Sequence, residues 1–242
     1  MQLKDASILA VDDEDLLLQL VGEWFENVAG KVFSARDGIE AMEVLAQHEI
    51  DLIVTDVRMP VMNGISLLKE VKARQGRKPH VIFITGFADL EARDAYDLGA
   101  EAILEKPFEF ADLLNAAKRS LLERDEIWQM PLDLAAYPTL TGSFASLTQA
   151  LQEHRITFGR GGFCVETKQR LVEGPVNIKL DFKAERYALS GQGIVRWLGN
   201  EANQVGVELT YVAKESRERL LQLTEQAAPF IPSAARTVSL GG

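Results

Sequence analysis

Residues 51–60 read "DLIVTDVRMP". The short run Leu52-Ile53-Val54 is apolar and rich in β-branched side chains, which favours a strand covered on both faces. It ends in Asp56, with Pro60 four residues on. A carboxylate closing a buried strand costs desolvation free energy unless a charge or a hydrogen-bond donor meets it. What meets Asp56 therefore decides how the surrounding chain is read.

Outward from this stretch, strand and helix patterns alternate. "SILAVDD" (residues 7–13), "KVFSA", "DLIVT", "HVIFIT" and "EAILE" read as strands. Between them lie helical patterns: residues 15–28, "DGIEAMEVLAQH", "GISLLKEVKAR" and "LEARDAYDLG". "FADLLNAAKRSLLERDEI" reads as one last helix. Five strands alternating with five helices in about 120 residues predict an α/β, doubly wound parallel sheet. With right-handed crossovers few topologies remain.

The polar residues then fall together. Asp12 and Asp13 end strand one, Asp56 ends strand three, Thr85 ends strand four, and Lys106 ends strand five ahead of Pro107. All lie at carboxyl ends, where open α/β sheets bind ligands at the point of strand-order reversal. Three neighbouring carboxylates repel, so a cation between them is expected. An all-oxygen site of few carboxylates suits Mg²⁺, which keeps waters and accepts phosphate oxygens. With the Lys106 ammonium and the Thr85 hydroxyl, the set fits Asp56 as a nucleophile toward phosphorus. Taken singly, each residue has a blander reading: Asp12 and Asp13 as helix caps, Thr85 as a turn residue, Lys106 as a solvated lysine. Jointly, at the ends of four strands, they do not.

"VDDE", "DLIVTDVRMPVMNG", "FITG" and "LEKPF" resemble, in order and spacing, the receiver domain of two-component response regulators, over residues 1–124. The resemblance implies a flavodoxin-like fold and a phosphorelay in which a histidine kinase phosphorylates Asp56. It implies Mg²⁺ held by Asp13, Asp56 and the Arg58 backbone carbonyl, with Asp12 helping. Thr85 and Lys106 would contact the phosphoryl oxygens, and the Lys106–Pro107 peptide would be cis. Such a domain catalyses only its own phosphorylation and dephosphorylation, so the chain is expected not to be an enzyme in the ordinary sense. Ile103 stands where the family often carries an aromatic residue that moves on phosphorylation.

Charge separates the halves. Residues 1–124 hold 14 basic against 23 acidic side chains, while the remainder is nearly balanced. An acidic first module argues against nucleic acid there and allows a cation. No stretch approaches the roughly 20 apolar residues of a membrane span, and no signal peptide is evident. A single cysteine, Cys164, excludes an internal disulfide. A reducing, cytoplasmic location is expected.

Two prolines and no clear period place a linker at 125–142, after which residues 143–154 read as a short helix. From Ile156 four strands follow: "ITFGRGGFCVET", "GPVNIKLDF", "YALSGQGIVRWLG" and "QVGVELTYV". A closing helix comes next, and 229–242 reads as a flexible tail. The expectation is a small antiparallel β-barrel over 143–228. Its strand order and glycine turn resemble a PilZ domain, many members of which bind cyclic di-GMP. At the family's D/NxSxxG turn this chain has Thr157, Gly159 and Gly162, so only the last glycine is kept. No RxxxR precedes the barrel; Arg155 and Arg160 are five apart. Paired arginines grip phosphate and stack on guanine, and a lone one does not replace them. The resemblance thus implies a degenerate module acting by protein contact.

A cyclic di-GMP sensor using unusual residues is the first alternative, supported by four excess positive charges between Arg155 and Arg196. A DNA-binding transcription regulator is the second, opposed by the lack of a helix-turn-helix with a basic recognition helix. His48, His80 and His154 are scattered and form no metal motif; Cys164, Phe163 and Trp197 read as core. The output partner is a protein the sequence does not name, and a homodimer is left open.

Overall fold

The computed structural model of the chain describes residues 1–74, 79–86, 90–132, 136–199, 203–224 and 230–232. Two compact units divide it, Met1–Leu122 and Glu123–Gly242.

In the first unit the elements are β1 (Ser7–Val11), α1 (Asp15–Glu26), β2 (Lys31–Ala35), α2 (Gly38–Gln47), β3 (Leu52–Asp56), α3 (Gly64–Ala73), β4 (His80–Thr85), α4 (Ala92–Leu98), β5 (Ala102–Glu105) and α5 (Phe110–Ser120). The five strands form one sheet in the order β2-β1-β3-β4-β5. All four of its strand pairings are parallel. Every residue of β3 is buried, as its apolar run requires. Alternate side chains serve opposite faces: Leu52 and Val54 pack with Val21, Phe25, Leu113 and Ala117. Ile53 packs with Ala41, Leu45, Leu67, Leu68 and Val71. Helices α1 and α5 thus cover one face, and α2 to α4 the other. The strand order reverses between β1 and β3, which sets Asp12 and Asp56 side by side.

Two expectations change at the end of this unit. The predicted helix over residues 110–127 breaks after α5, and a short helix α6 (Arg124–Ile127) follows. The Glu126 carboxylate accepts the Glu123 N–H at 3.0 Å, a capping arrangement that starts a new helix. Strand β1 also stops at Val11, which leaves Asp12 and Asp13 in the following loop.

The second unit continues with β6 (Thr139–Phe144), α7 (Leu147–Gln152), β7 (Ile156–Phe158), β8 (Gly162–Glu166), β9 (Gly174–Phe182), β10 (Tyr187–Leu198), β11 (Gln204–Val212) and α8 (Lys214–Thr224). Its sheet runs β6-β9-β10-β11-β8-β7. Three features differ from the expected barrel. Strand β6 begins inside the stretch read as linker and runs into the predicted helix. Leu140 and Phe144 are buried while Thr139, Thr141 and Ser143 face out, a period of two rather than 3.6. The helix starts only after Ser146, whose hydroxyl caps it. Strand β6 also pairs with β9 in parallel, so the sheet is mixed. Among the described residues no ladder joins β6 to β7, which makes it an open half-barrel. Finally, the predicted tail is built into the core at Phe230 and Ile231, both buried. The Gly161 N–H donates to the Phe230 carbonyl at 2.8 Å. Residues 233–242 of that predicted tail lie outside the described residues.

Helix α8 is fastened to β10. The Ser216 hydroxyl donates to the Ala188 carbonyl at 2.6 Å, and the Tyr187 hydroxyl donates to the Ser216 carbonyl at 3.1 Å. Burial pushes the Tyr187 phenol up to about 12 from 10.0, against the opposing Arg219 charge. The fold thus favours the neutral phenol. That stabilisation is full below the unfolded value near 10.0 and is lost as pH rises through about 12. Urea unfolding from pH 9 to 12 should show the wild type losing on the order of 2 kcal/mol more than Tyr187→Phe over that range. Parallel pH profiles would contradict the docking role.

No helix among the described residues is long and apolar enough to cross a membrane.

Candidate functional site

Asp56 is 6% exposed, and two groups meet it. The Lys106 ammonium lies 2.6 Å from Oδ1, and the Arg58 backbone N–H donates to Oδ2. The same ammonium is 3.2 Å from Asp12 Oδ2 and 3.6 Å from Glu14 Oε1. Asp12 is itself buried, and its Oδ1 accepts the Glu14 N–H at 2.8 Å. One positive charge therefore holds two buried carboxylates together.

The electrostatics follow. Burial raises the Asp12 carboxyl above its ordinary value, although the Glu14 N–H and the Lys106 charge oppose it. Burial alone would lower the Lys106 ammonium. Its hydrogen bond to Asp56 and the Asp12 charge outweigh that, and its proton is held more tightly than usual.

The loop after β3 accounts for Pro60, Asn63 and Gly64. The Gly64 N–H returns to the Val57 carbonyl at 3.1 Å. A Cβ at Gly64 would sit 2.1 Å from the Asp56 carbonyl oxygen, so only glycine lets α3 start this close to β3. Asn63 caps α3 by accepting the Ser66 N–H. Pro60, Asn63 and Gly64 thus turn the chain sharply while Asp56 stays at the strand end. The loop borders an open cleft of about 420 Å³ lined by Asp13, Arg58 and Asn63.

The remaining predicted residues are placed as follows. Thr85 closes β4 and is buried; its hydroxyl donates to the Gly86 carbonyl at 3.0 Å. Lys106 follows β5 directly, and its bond to Pro107 is cis. Ile103 lies on β5 beside Phe83 and packs on the core below α4. Of the four oxygen donors read as metal ligands, Asp12 and Asp56 are joined through Lys106, and Asp13 and Arg58 line the same cleft. Among the described residues no three His, Cys, Asp or Glu side chains form a metal-holding group. Asp12 and Asp56 are gathered by an ammonium instead, while Asp13 faces the cleft. Glu14 was not singled out in the sequence, although the acidic run "VDDED" contained it.

In the second unit the turn residues separate. Gly162 presses on β11, where a Cβ would meet the Val207 carbonyl oxygen at 2.0 Å. This turn glycine therefore has a packing reason. Arg155 stacks on the Phe144 ring at 5.2 Å, and Arg160 on the Phe230 ring at 5.5 Å. The two arginines are engaged with different rings. Cys164, Phe163 and Trp197 are buried.

Comparison with known proteins addresses the first unit. The family profile of the response regulator receiver domain matches residues 8–118. The transcriptional regulatory protein CrdR of Helicobacter pylori is 36% identical over 51% of this chain and 58% of its own length. The regulator of RpoS of Escherichia coli K12 is 30% identical over 60% of this chain and 45% of its own. Sporulation initiation phosphotransferase F of Bacillus subtilis is 30% identical over 47% of this chain and 92% of its own. The chain thus spans about half the length of the first two and nearly all of the third.

Proposed function

We infer the function from family and geometry together: this chain belongs, through its first unit, to the response regulator receiver family, and its strand-end constellation supports phosphoryl transfer to Asp56. The observation that carries the reading is the shared ammonium. Lys106 touches both Asp12 and Asp56, so the site already gathers two buried carboxylates around a cation. In our reading a histidine kinase supplies the phosphoryl group. An Asp56 carboxylate oxygen attacks phosphorus, and the bond to the donor's leaving atom breaks. Lys106 and the Thr85 hydroxyl then hold the transferred oxygens.

The donor set fits Mg²⁺. It is all oxygen, carries few carboxylates, and opens on a cleft with room for retained waters. Asp12, Asp13, Asp56 and the Arg58 carbonyl would hold the ion, which would neutralise charge on the phosphoryl oxygens. The test is incubation with a small phosphodonor and Mg²⁺. One hydroxylamine-labile phosphoryl group per chain is expected; no incorporation would overturn the assignment.

Lys106 is assigned to the phosphoryl group rather than to the metal. Lys106→Ala should not lower Mg²⁺ affinity, since the ammonium is no ligand and competes for the same carboxylates. It should weaken the phosphorylated state by about 2–5 kcal/mol, the cost of deleting one partner of a close buried charge pair. Titration calorimetry with Mg²⁺ checks this: a loss as large as that of Asp13→Ala contradicts the division of roles.

For the second unit we propose a degenerate PilZ-like module that acts by protein contact. The antiparallel strands β8 to β11 with α8 docked on β10 support it, as do Thr157 and Gly159 in place of ligand-gripping groups. A pull-down with and without a phosphodonor should show capture that depends on Asp56.

A further inference from the structure

We propose that the open edge of β6 is a docking site for an extended, acidic peptide segment of a partner protein. The proposal rests on reading this unit as a protein-contact module and names the chemistry of the contact.

The backbone supplies the first argument. In the β6–β9 ladder the Asn177 N–H donates to the Pro138 carbonyl, and the Lys183 N–H to the Phe144 carbonyl. The even-numbered residues of β6 therefore bond β9, and the groups of Thr139, Thr141 and Ser143 point away. The Gln169 amide has taken part of that edge. Its Oε1 accepts the Thr141 N–H at 2.8 Å, and its Nε2 donates to the Thr139 carbonyl at 3.1 Å. That is the two-bond pattern of a neighbouring parallel strand, made by one side chain. Beyond Gln169, the Thr141 carbonyl and the Ser143 N–H have no partner among the described residues, and Thr141 and Ser143 border a groove of about 490 Å³. Exposed edges are usually guarded by charge or proline. Here the outward residues are Thr139, Thr141 and Ser143, which guard nothing.

The groove supplies the second. Phe144 is buried at its side, and the Arg155 guanidinium stacks on that ring. Arg155 meets Glu166 only at 3.9 Å, with both side chains nearly half exposed. Such a pair contributes little, so the arginine fork remains able to take a carboxylate. Lys168 adds a second positive charge on the same groove. Backbone pairing gives an added strand its affinity, and the flanking charges select acidic side chains. A small polyanion fits less well: it could accept from the Ser143 N–H, but it offers the Thr141 carbonyl no donor, whereas an added strand satisfies both.

The experiment uses the full chain and a fluorescein-labelled seven-residue peptide of alternating valine and glutamate. Fluorescence anisotropy should show saturable binding. A version N-methylated at alternate amides should bind about tenfold more weakly, and so should a lysine-for-glutamate version. Ser143→Pro removes the outward N–H and spares the β9 ladder, since edge strands tolerate proline. It should weaken the acidic probe about tenfold at unchanged circular dichroism. Equal binding of the N-methylated probe overturns the proposal on the wild-type protein alone, whatever becomes of the variant. So does displacement of the probe by millimolar pyrophosphate with Ser143→Pro unaffected, which would mark a small-anion site. No binding of the acidic probe also overturns it. The protein-contact reading fails separately, through Asp56-independent capture in the pull-down.

Discussion

Asp56→Asn is expected to abolish phosphoryl incorporation from a small phosphodonor with Mg²⁺, while Asp94→Asn on the exposed face of α4 retains it. The substitution keeps the size of the side chain and an oxygen able to accept the Arg58 N–H. It removes the negative charge that meets Lys106 at 2.6 Å. A neutral amide oxygen is a poor nucleophile toward phosphorus, so the covalent step has no substitute. The fold should survive, since the change also removes one of two like charges that share a buried site. Intact-mass measurement before and after hydroxylamine, with unchanged circular dichroism, checks the claim. Full labelling of Asp56→Asn would move the phosphoacceptor elsewhere.

The first unit was legible in sequence because two signals agreed there. The β3 run Leu52–Val54 read as a strand buried on both faces, and the polar residues of the site, Asp12, Asp13, Asp56, Thr85 and Lys106, all fell at or just past carboxyl ends of strands. Glu14 was missed because it sits in a run of four acids, where composition cannot tell which one turns toward Lys106. The break after Ser120 was missed because Leu121 and Leu122 continue the apolar pattern, and only the Glu126 cap starts a new helix. In the second unit the errors share a cause. "TLTGSF" holds two prolines' worth of turn signal upstream and a glycine within, which masked a strand whose alternation spans only six residues. Its parallel pairing with β9 depends on a partner some 40 positions away, a contact that local pattern does not encode. Phe230 and Ile231 read as tail because nothing nearby is periodic, yet Gly161 leaves the space into which Phe230 packs.

Cyclic di-GMP is expected not to bind this chain at physiological concentration. The ligand presents two phosphates and two guanines, and a site for it needs paired arginine forks with polar groups beside them. The arginines nearest the turn do not form such a pair. Arg155 lies over Phe144 and Arg160 over Phe230, so gathering both on one ligand means breaking two ring contacts. At the turn, Thr157 and Gly159 stand where the proposed PilZ likeness would call for an Asp or Asn and a serine. At Gly162 a Cβ would meet the Val207 carbonyl oxygen, which gives that glycine a packing reason. Each charge-assisted hydrogen bond lost costs about 1.5–3 kcal/mol. Losing three shifts a micromolar site to about millimolar or weaker, since about 1.4 kcal/mol is tenfold. The opposing effect is the excess of four positive charges between Arg155 and Arg196. It is spread over several strands and is screened beyond about 8 Å at physiological salt. Glu208 further neutralises Arg196 through a close ion pair. Titration calorimetry at about 0.15 M salt on the full chain, with and without a phosphodonor, should show no saturable heat. A low-micromolar dissociation constant in either state would overturn the protein-contact reading of the second unit and make it a nucleotide sensor.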